Sequence, residues 1–472
     1  RARGRHVSVQ EQFGETIDMS MVPKPGKAEA SVRATLAAIA EHGKRIDAVA
    51  QQLDEAAVLE ARHRDVLAKA GTVLGPLHGL PFVVKDIIDV AGAVTRSGSL
   101  TQKSEEPRTA DAPVVAALRA AGAIPVAKSQ TVEFAIGGWG TNVTVGTPWN
   151  PWDLKVHRVP GGSSNGTGAL VGAGIAPAGL GTDTGGSVRI PASFCGCVGL
   201  KTSIGLVSRT GVTPLSETLD TVGPLTRDVE TAALMLAAMQ GADSADETTL
   251  GAPLVDPISG LDRGVGGLRL AQLDAGMMPD LAVDVAQSFE KAVNLLREAG
   301  ASITTISLPR TLKEYQRRGG AISGTEGYAT YHEIVDDPNS PMGAPNRMRM
   351  SAGKTYSAAD ITQIRRERKV DIRDLEAIID GVDAIILPTT PITAIPVADV
   401  DEKNMVMSTH TRFGNYYELA GLAVPIDLTP AGLPTSLQIV VRRFCDPLAL
   451  RIGHAFEKAR GPFDPPPYFR VA

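Results

Sequence analysis

Residues 161–189, GGSSNGTGALVGAGIAPAGLGTDTGGSVR, crowd serine and glycine together and contain no histidine. A serine hydroxyl attacks a carbonyl only once a base removes its proton, so each serine here poses the question of its base. Ser164 sits at the centre of GSSNG (162–166), a formal nucleophile elbow that would need a downstream histidine: His332, His410 or His454. None of the three has a convincing context; His454 lies in the amphipathic run RIGHAFEKA. Ser351 and Lys354 (SAGK) fit a Ser-x-x-Lys pattern, but the triplet resembling its KTG element, KTS at 201–203, comes before it instead of after.

Ser187 stands differently, directly after Gly185 and Gly186. Glycines can bring bare backbone N–H groups up to a reacting carbonyl, so the turn suits an oxyanion; it equally suits a tight turn in which Ser187 caps the next segment. Lys85 lies in the apolar run PFVVKDII. Burial disfavours the ammonium form and converts lysine into a base near neutral pH. The alternative is a strand-end lysine paired with Asp86 or Asp89. A phosphate cradle at 161–168 is disfavoured, because the Lys-Ser/Thr ending and the G-x-G-x-x-G spacing are both missing.

The elements that must position these groups alternate between short apolar runs and helical patterns. GLPFVVKDII, APVVAALRAAG and AIPVAKSQ form one such series; residues 267–307, then IRDLEAIIDG with VDAIILPTTP, then GLAVPIDL, SLQIVVRRF and PLALRIGHAFEKA form others. This predicts a mostly parallel sheet with helices on both faces over residues 71–472. Residues 1–70 read as a helical lead-in, and 310–357 as an insertion covering the substrate end of the sheet.

The composition is that of a globular chain: 43% apolar and 21% charged residues, with 49 glycines among 472 residues. A formal charge of −5 gives no footprint for nucleic acid, and no apolar run is long enough to span a membrane. The opening, RARGRHVSVQEQ, lacks the apolar core of a signal peptide, and without an initiator Met it reads as trimmed. Cys195, Cys197 and Cys445 fit neither a disulfide framework nor a zinc site, so buried thiols and a cytoplasmic setting are expected, with no metal and no cofactor.

Six blocks then act together: GPLHGLPFVVKDIIDVAGAVTRSGS (75–99), GTNVTVGTPWNPWD (140–153), PGGSSNGTGALVGAG (160–174), GLGTDTGGSVRIPASFCGCVGLKTS (179–203), ILPTTPITA (386–394) and ELAGLAVPIDLTPAGLPTSLQIV (418–440). In this order they resemble the amidase signature family. The resemblance implies a single α/β/α domain, over residues 71–472, around a large mixed, mostly parallel sheet, and hydrolysis of amide-type bonds through a Ser, cis-Ser, Lys triad: Ser187 as nucleophile, Ser163 as the bridge preceded by a cis peptide bond, and Lys85 as base. It further implies oxyanion-hole amides from Thr184, Gly185, Gly186 and Ser187, with Ser164 and Asp183 in support. Asn165 and Thr167 depart from the family's usual Gly and Ser, and LKTS from its usual LKPT.

Two functions fit: a hydrolase of small neutral aryl or alkyl amides or carbamates, cleaving esters as well, and the glutaminase subunit of a glutamine-dependent tRNA amidotransferase. In the latter, an Asp three residues ahead of a Thr holds the glutamine ammonium. Aligning that Thr with Thr411 puts Ser408 at the acidic position, and an unpaired buried ammonium is costly. The neutral-substrate hydrolase is therefore favoured, with Gly138, Trp139, Tyr328 and Tyr331 as pocket walls. The expected partner is a small amide or carbamate, with a homodimer compatible.

Overall fold

The computed structural model describes residues 21–102 and 106–469; the opening stretch 1–20 lies outside the described residues. Eleven strands form one sheet: β1 (Val49–Gln52), β2 (Pro81–Lys85), β3 (Ile124–Ser129), β4 (Ala178–Asp183), β5 (Val198–Lys201), β6 (Thr221–Thr226), β7 (Arg269–Leu273), β8 (Ser302–Ile306), β9 (Ala384–Pro388), β10 (Ala420–Leu428) and β11 (Pro434–Val441). Their spatial order is β1-β3-β2-β4-β6-β5-β10-β11-β9-β7-β8. Strands such as PFVVK and IPVAKS are buried at every position, as continuous apolar runs covered on both faces must be.

Parallel pairing is confined to two blocks, β3-β2-β4 and β9-β7-β8. Between them, β4-β6-β5-β10-β11-β9 pair antiparallel throughout. The sheet is thus mixed with a smaller parallel share than the βαβ pattern suggests. The central strands are joined by turns and short helices that do not force a parallel return. The lead-in is not wholly helical either. Between the helices Ala28–Ala38 and Asp54–Lys69, Val49–Gln52 pairs antiparallel with β3 and forms the sheet edge. Helices Val229–Met239 and Asp446–Arg460 help cover one face through the largest apolar core, and the lead-in helices pack in a second.

β2 and β4 run parallel, so their C-terminal ends, Lys85 and Asp183, emerge at the same edge. Open α/β sheets place ligands at such an edge. The helices Asn165–Gly172 and Arg189–Cys195 follow the two serine-bearing turns and pack closely on each other. A Cβ on Gly172 would stand 2.2 Å from the Cys195 carbonyl oxygen, so this approach requires glycine.

Candidate active site

Lys85 is fully buried, and its Nζ lies 2.7 Å from Ser163 Oγ and 2.8 Å from Thr182 Oγ1. Two other lysines are sealed in the core. Lys128 is held by Asp86 and the Ile88 carbonyl, Lys201 by the carbonyls of Thr202 and Leu419. Those acceptors favour an ammonium. The partners of Lys85 are hydroxyls, which can turn and donate to a neutral amine. Burial lowers the Lys85 pKa to about 7, against the opposing pull of Asp220 and Asp183. Sequence reasoning missed Thr182; its place just before Asp183 on a strand next to β2 was the available signal.

The Gly162–Ser163 peptide bond is cis. The turn around it is clamped by backbone: Gly162 N–H donates to the Gly138 carbonyl (2.8 Å), Gly161 N–H to that of Trp139 (3.1 Å), and the Ser163 carbonyl accepts from Val132 N–H (3.1 Å). Asn165 Nδ2 donates to the Gly140 carbonyl at 2.7 Å, and the Thr167 and Ser129 hydroxyls bond at 2.7 Å, so both departures from the family pattern are absorbed into this support. Ser164 N–H donates to the Ser187 carbonyl at 3.2 Å, fastening the two serine-bearing turns together.

Asp183 organises the Ser187 turn. Its carboxylate accepts from Gly186 N–H (2.7 Å), Val188 N–H (3.2 Å), Asn415 Nδ2 (2.9 Å) and the Arg189 guanidinium. Burial alone raises its pKa, but the Arg189 charge and hydrogen bonds prevail and hold it well below the usual carboxylate range. The Gly186 amide is therefore already committed to Asp183, which corrects its assignment to the oxyanion hole. The amides of Thr184, Gly185 and Ser187 make no hydrogen bond among the described residues and stay open for a ligand. The Thr184 hydroxyl is tied to half-buried Asp220.

Ser187 opens onto a cavity of about 410 Å³ together with Gly138, Thr184, Gly185 and Ser408. The remaining expected walls are elsewhere. Trp139 is buried against Val159, Ile190 and Phe194, its indole N–H held by backbone carbonyls of Asp401 and Asn404. Tyr331 is buried with its hydroxyl on the Pro214 carbonyl, and Tyr328 pairs with Asp336 and Lys354. In a helix, only residues on the cavity-facing stripe reach it. From Leu312–Asp336 these are Lys313, Gln316, Arg317, Gly320, Ala321, Ser323 and Gly324, a stripe that stops short of both tyrosines. Arg412 also lines the cavity and was not anticipated from sequence.

The histidines stand apart. His410 is buried with Nδ1 on the Pro388 carbonyl, and burial lowers its pKa to about 4; His454 faces Asp262, and His332 the Ala329 carbonyl. Ser164 is sealed, its hydroxyl exchanging bonds with the Thr182 backbone. Among the described residues there is no metal-holding cluster, the three cysteines are free, and no helix is long and apolar enough to cross a membrane.

The amidase family profile matches residues 30–450. The chain is 35% identical, over 455 residues, to the glutamyl-tRNA(Gln) amidotransferase A chain of Geobacter metallireducens, covering 91% of this chain and 93% of that one. Among solved structures it resembles one described as an unexpected vestigial protein complex that reveals the evolutionary origins of an s-triazine catabolic enzyme (TM-score 0.86, 30% identity, 92% and 95% of the two chains). It also resembles the native peptide amidase of Stenotrophomonas maltophilia (TM-score 0.81, 28% identity, 93% and 95%).

Proposed function

The chain belongs to the amidase signature family, an enzyme family acting on C–N bonds, and within it we propose a hydrolase of small amide-type substrates that works through Ser187, Ser163 and Lys85. The observation that carries this reading is the amine of Lys85 on the Ser163 hydroxyl, in a pocket that lowers its pKa to about 7. Ser187 Oγ attacks the carbonyl carbon; its proton passes through Ser163 to neutral Lys85. The oxyanion forms against the free amides of Thr184, Gly185 and Ser187. Collapse breaks the C–N bond, the proton returns to the leaving nitrogen, and ammonia or an amine departs from an acyl-enzyme. Water then attacks the ester, again giving its proton through Ser163, and releases the acid. Carbamates and esters, aryl or alkyl, present the same carbonyl to Ser187. A cytoplasmic setting belongs to the same proposal.

The second reading, the glutaminase subunit of a tRNA amidotransferase, shares this chemistry, and sequence comparison favours it over a free-standing hydrolase, since the curated relatives carry that name. It brings a partner chain with it; the solved vestigial complex supports a partner under either reading. Against glutamine stands Ser408, whose hydroxyl accepts from Gln316 Nε2 at 2.9 Å where a carboxylate would be needed for the ammonium. Aryl amides, alkyl amides, carbamates and glutamine assayed side by side decide between the two. A preference for glutamine, or activity only with a partner chain, makes the second reading correct.

A further inference from the structure

The cavity in front of Ser187 is lined by five cationic side chains, Lys313, Arg317, Arg349, Lys403 and Arg412, and among the described residues by no Asp or Glu. Lys313 is paired with Asp280 and Arg349 with Glu402. The side chains of Arg317 and Lys403 make no hydrogen bond or ion pair among the described residues, and both are exposed at the cavity. Arg412 sits deepest, against the Ser187 turn: a Cβ on Gly185 would come 2.5 Å from its Cζ. Its Nη1 donates to Ser323 Oγ at 3.2 Å, while Nε and Nη2 make no hydrogen bond among the described residues. The Gly185 turn covers Nε, which leaves the Nη2 end of the guanidinium for an acceptor entering from the cavity, and a carboxylate is the acceptor that also matches its charge. A charge withdrawn from water without a counter-ion is costly. Burial lowers the Arg412 pKa to about 10, which still leaves it a cation at neutral pH.

Resting on the amide-hydrolase reading, we propose that the substrate is a short amide-type acid, whose carboxylate is held by the Arg412 guanidinium while its scissile carbonyl lies on Ser187. Arg317 and Lys403 draw it in from the rim. Gly185 and Ser187 are two residues apart, at most about 7 Å between Cα atoms, so only a few bonds separate the carboxylate from the carbonyl. The same lining explains why a neutral substrate leaves the site unsatisfied. It equally disfavours glutamine, whose ammonium would enter a cationic cavity with no carboxylate to meet it.

Pentanamide, glutaramate and glutamine test this directly, since they share a primary amide and differ in carrying no charge, a carboxylate, or a carboxylate with an ammonium. Glutaramate is expected to exceed pentanamide in kcat/KM by about 10- to 100-fold, the size of a charge-assisted hydrogen bond, and to exceed glutamine. Arg412→Gln brings the glutaramate-to-pentanamide ratio towards one; Arg317→Gln, at an exposed position, lowers it partly and serves if Arg412→Gln fails to fold. Calorimetric titration of Ser187→Ala with glutaramate and pentanamide reads the anion site without turnover. Equal binding, or binding of neither, overturns the inference, as does pentanamide turned over as fast as glutaramate. Glutamine preferred to glutaramate overturns it in favour of the glutaminase reading. Selective binding of glutaramate to Ser187→Ala, with no amide cleaved by the wild type, upholds the anion site and removes the hydrolase reading.

Discussion

Asp183 and Arg189 form an ion pair sealed from solvent, with Oδ1 2.9 Å from Nη2 and a second contact of 3.0 Å from Nε to Oδ2. The arginine also reaches the Thr411 carbonyl, Gln438 and Asn415, so one guanidinium ties the nucleophile turn to the C-terminal part of the sheet. Removing one partner strands the other charge in the core, a loss of about 3–5 kcal/mol. Asp183→Ala is therefore expected to lower the urea midpoint steeply and to release the Gly186 amide. An unchanged midpoint would show the pair to be dispensable for the fold.

Ser187→Ala is expected to abolish turnover, whereas Ser164→Ala and Ser351→Ala keep most of it. Ser187 opens onto the cavity; Ser164 is enclosed with its hydroxyl on the Thr182 backbone. A serine-directed phosphonate followed by peptide mass spectrometry reads the outcome at one residue. Label on Ser164 would reinstate the elbow.

Ser187, Ser163 and Lys85 were assigned their proposed roles through the resemblance of six separated blocks, since read alone the two glycines before Ser187 equally suit a tight turn and the apolar run around Lys85 equally suits a strand-end lysine. The strands were legible as short apolar runs between helical patterns, whereas the antiparallel pairing at the centre of the sheet was not. Nor was the cavity. Besides the serine-bearing turn and residues 135–138, its walls come from one stripe of Leu312–Asp336, from the helix Ala344–Ser351 and from the segment 403–412, brought together only by the fold. Aromatic residues in those segments suggested walls, but Trp139 and Tyr331 serve the core, and Arg412 carried no local signal apart from its place after Thr411. The commitment of Gly186 N–H to Asp183 likewise depends on a side-chain direction that spacing does not specify.

No histidine should matter to the chemical step. His332→Ala, His454→Ala and His410→Gln are each expected to leave kcat within about tenfold, against the roughly 10⁴-fold or greater loss on removing a triad member. His410 and His454 are engaged with the Pro388 carbonyl and Asp262, away from both serines. A 10⁴-fold loss at any of them, with the melting curve preserved, would falsify the lysine relay.

Lys85 serves activity at a cost in stability, and it makes both rise with pH. With its pKa lowered to about 7 by burial, the amine is a cation below that pH and a base above it. kcat/KM should therefore rise through a single ionisation near pH 7 and level off above about pH 8. Lys85→Ala loses that limb along with about 10⁴-fold or more of the rate, and Lys85→Arg gives no rescue because guanidinium does not release its proton. Ser163→Ala is strongly impaired too, since it removes the bridge and leaves both ends. The unfolded chain restores an ordinary lysine near 10.5, so between about pH 7 and 10.5 it binds more protons than the folded one, and stability rises with pH across that window. Replacing the cation by an apolar chain of similar length removes this cost: Lys85→Met should be inactive yet more stable at pH 7, by on the order of 1 kcal/mol or more. Paired pH–rate profiles and urea unfolding curves of the wild type, Lys85→Arg and Lys85→Met check both halves. Wild-type activity in Lys85→Arg, or destabilisation in Lys85→Met, would make Lys85 a structural cation and leave Ser187 without its base.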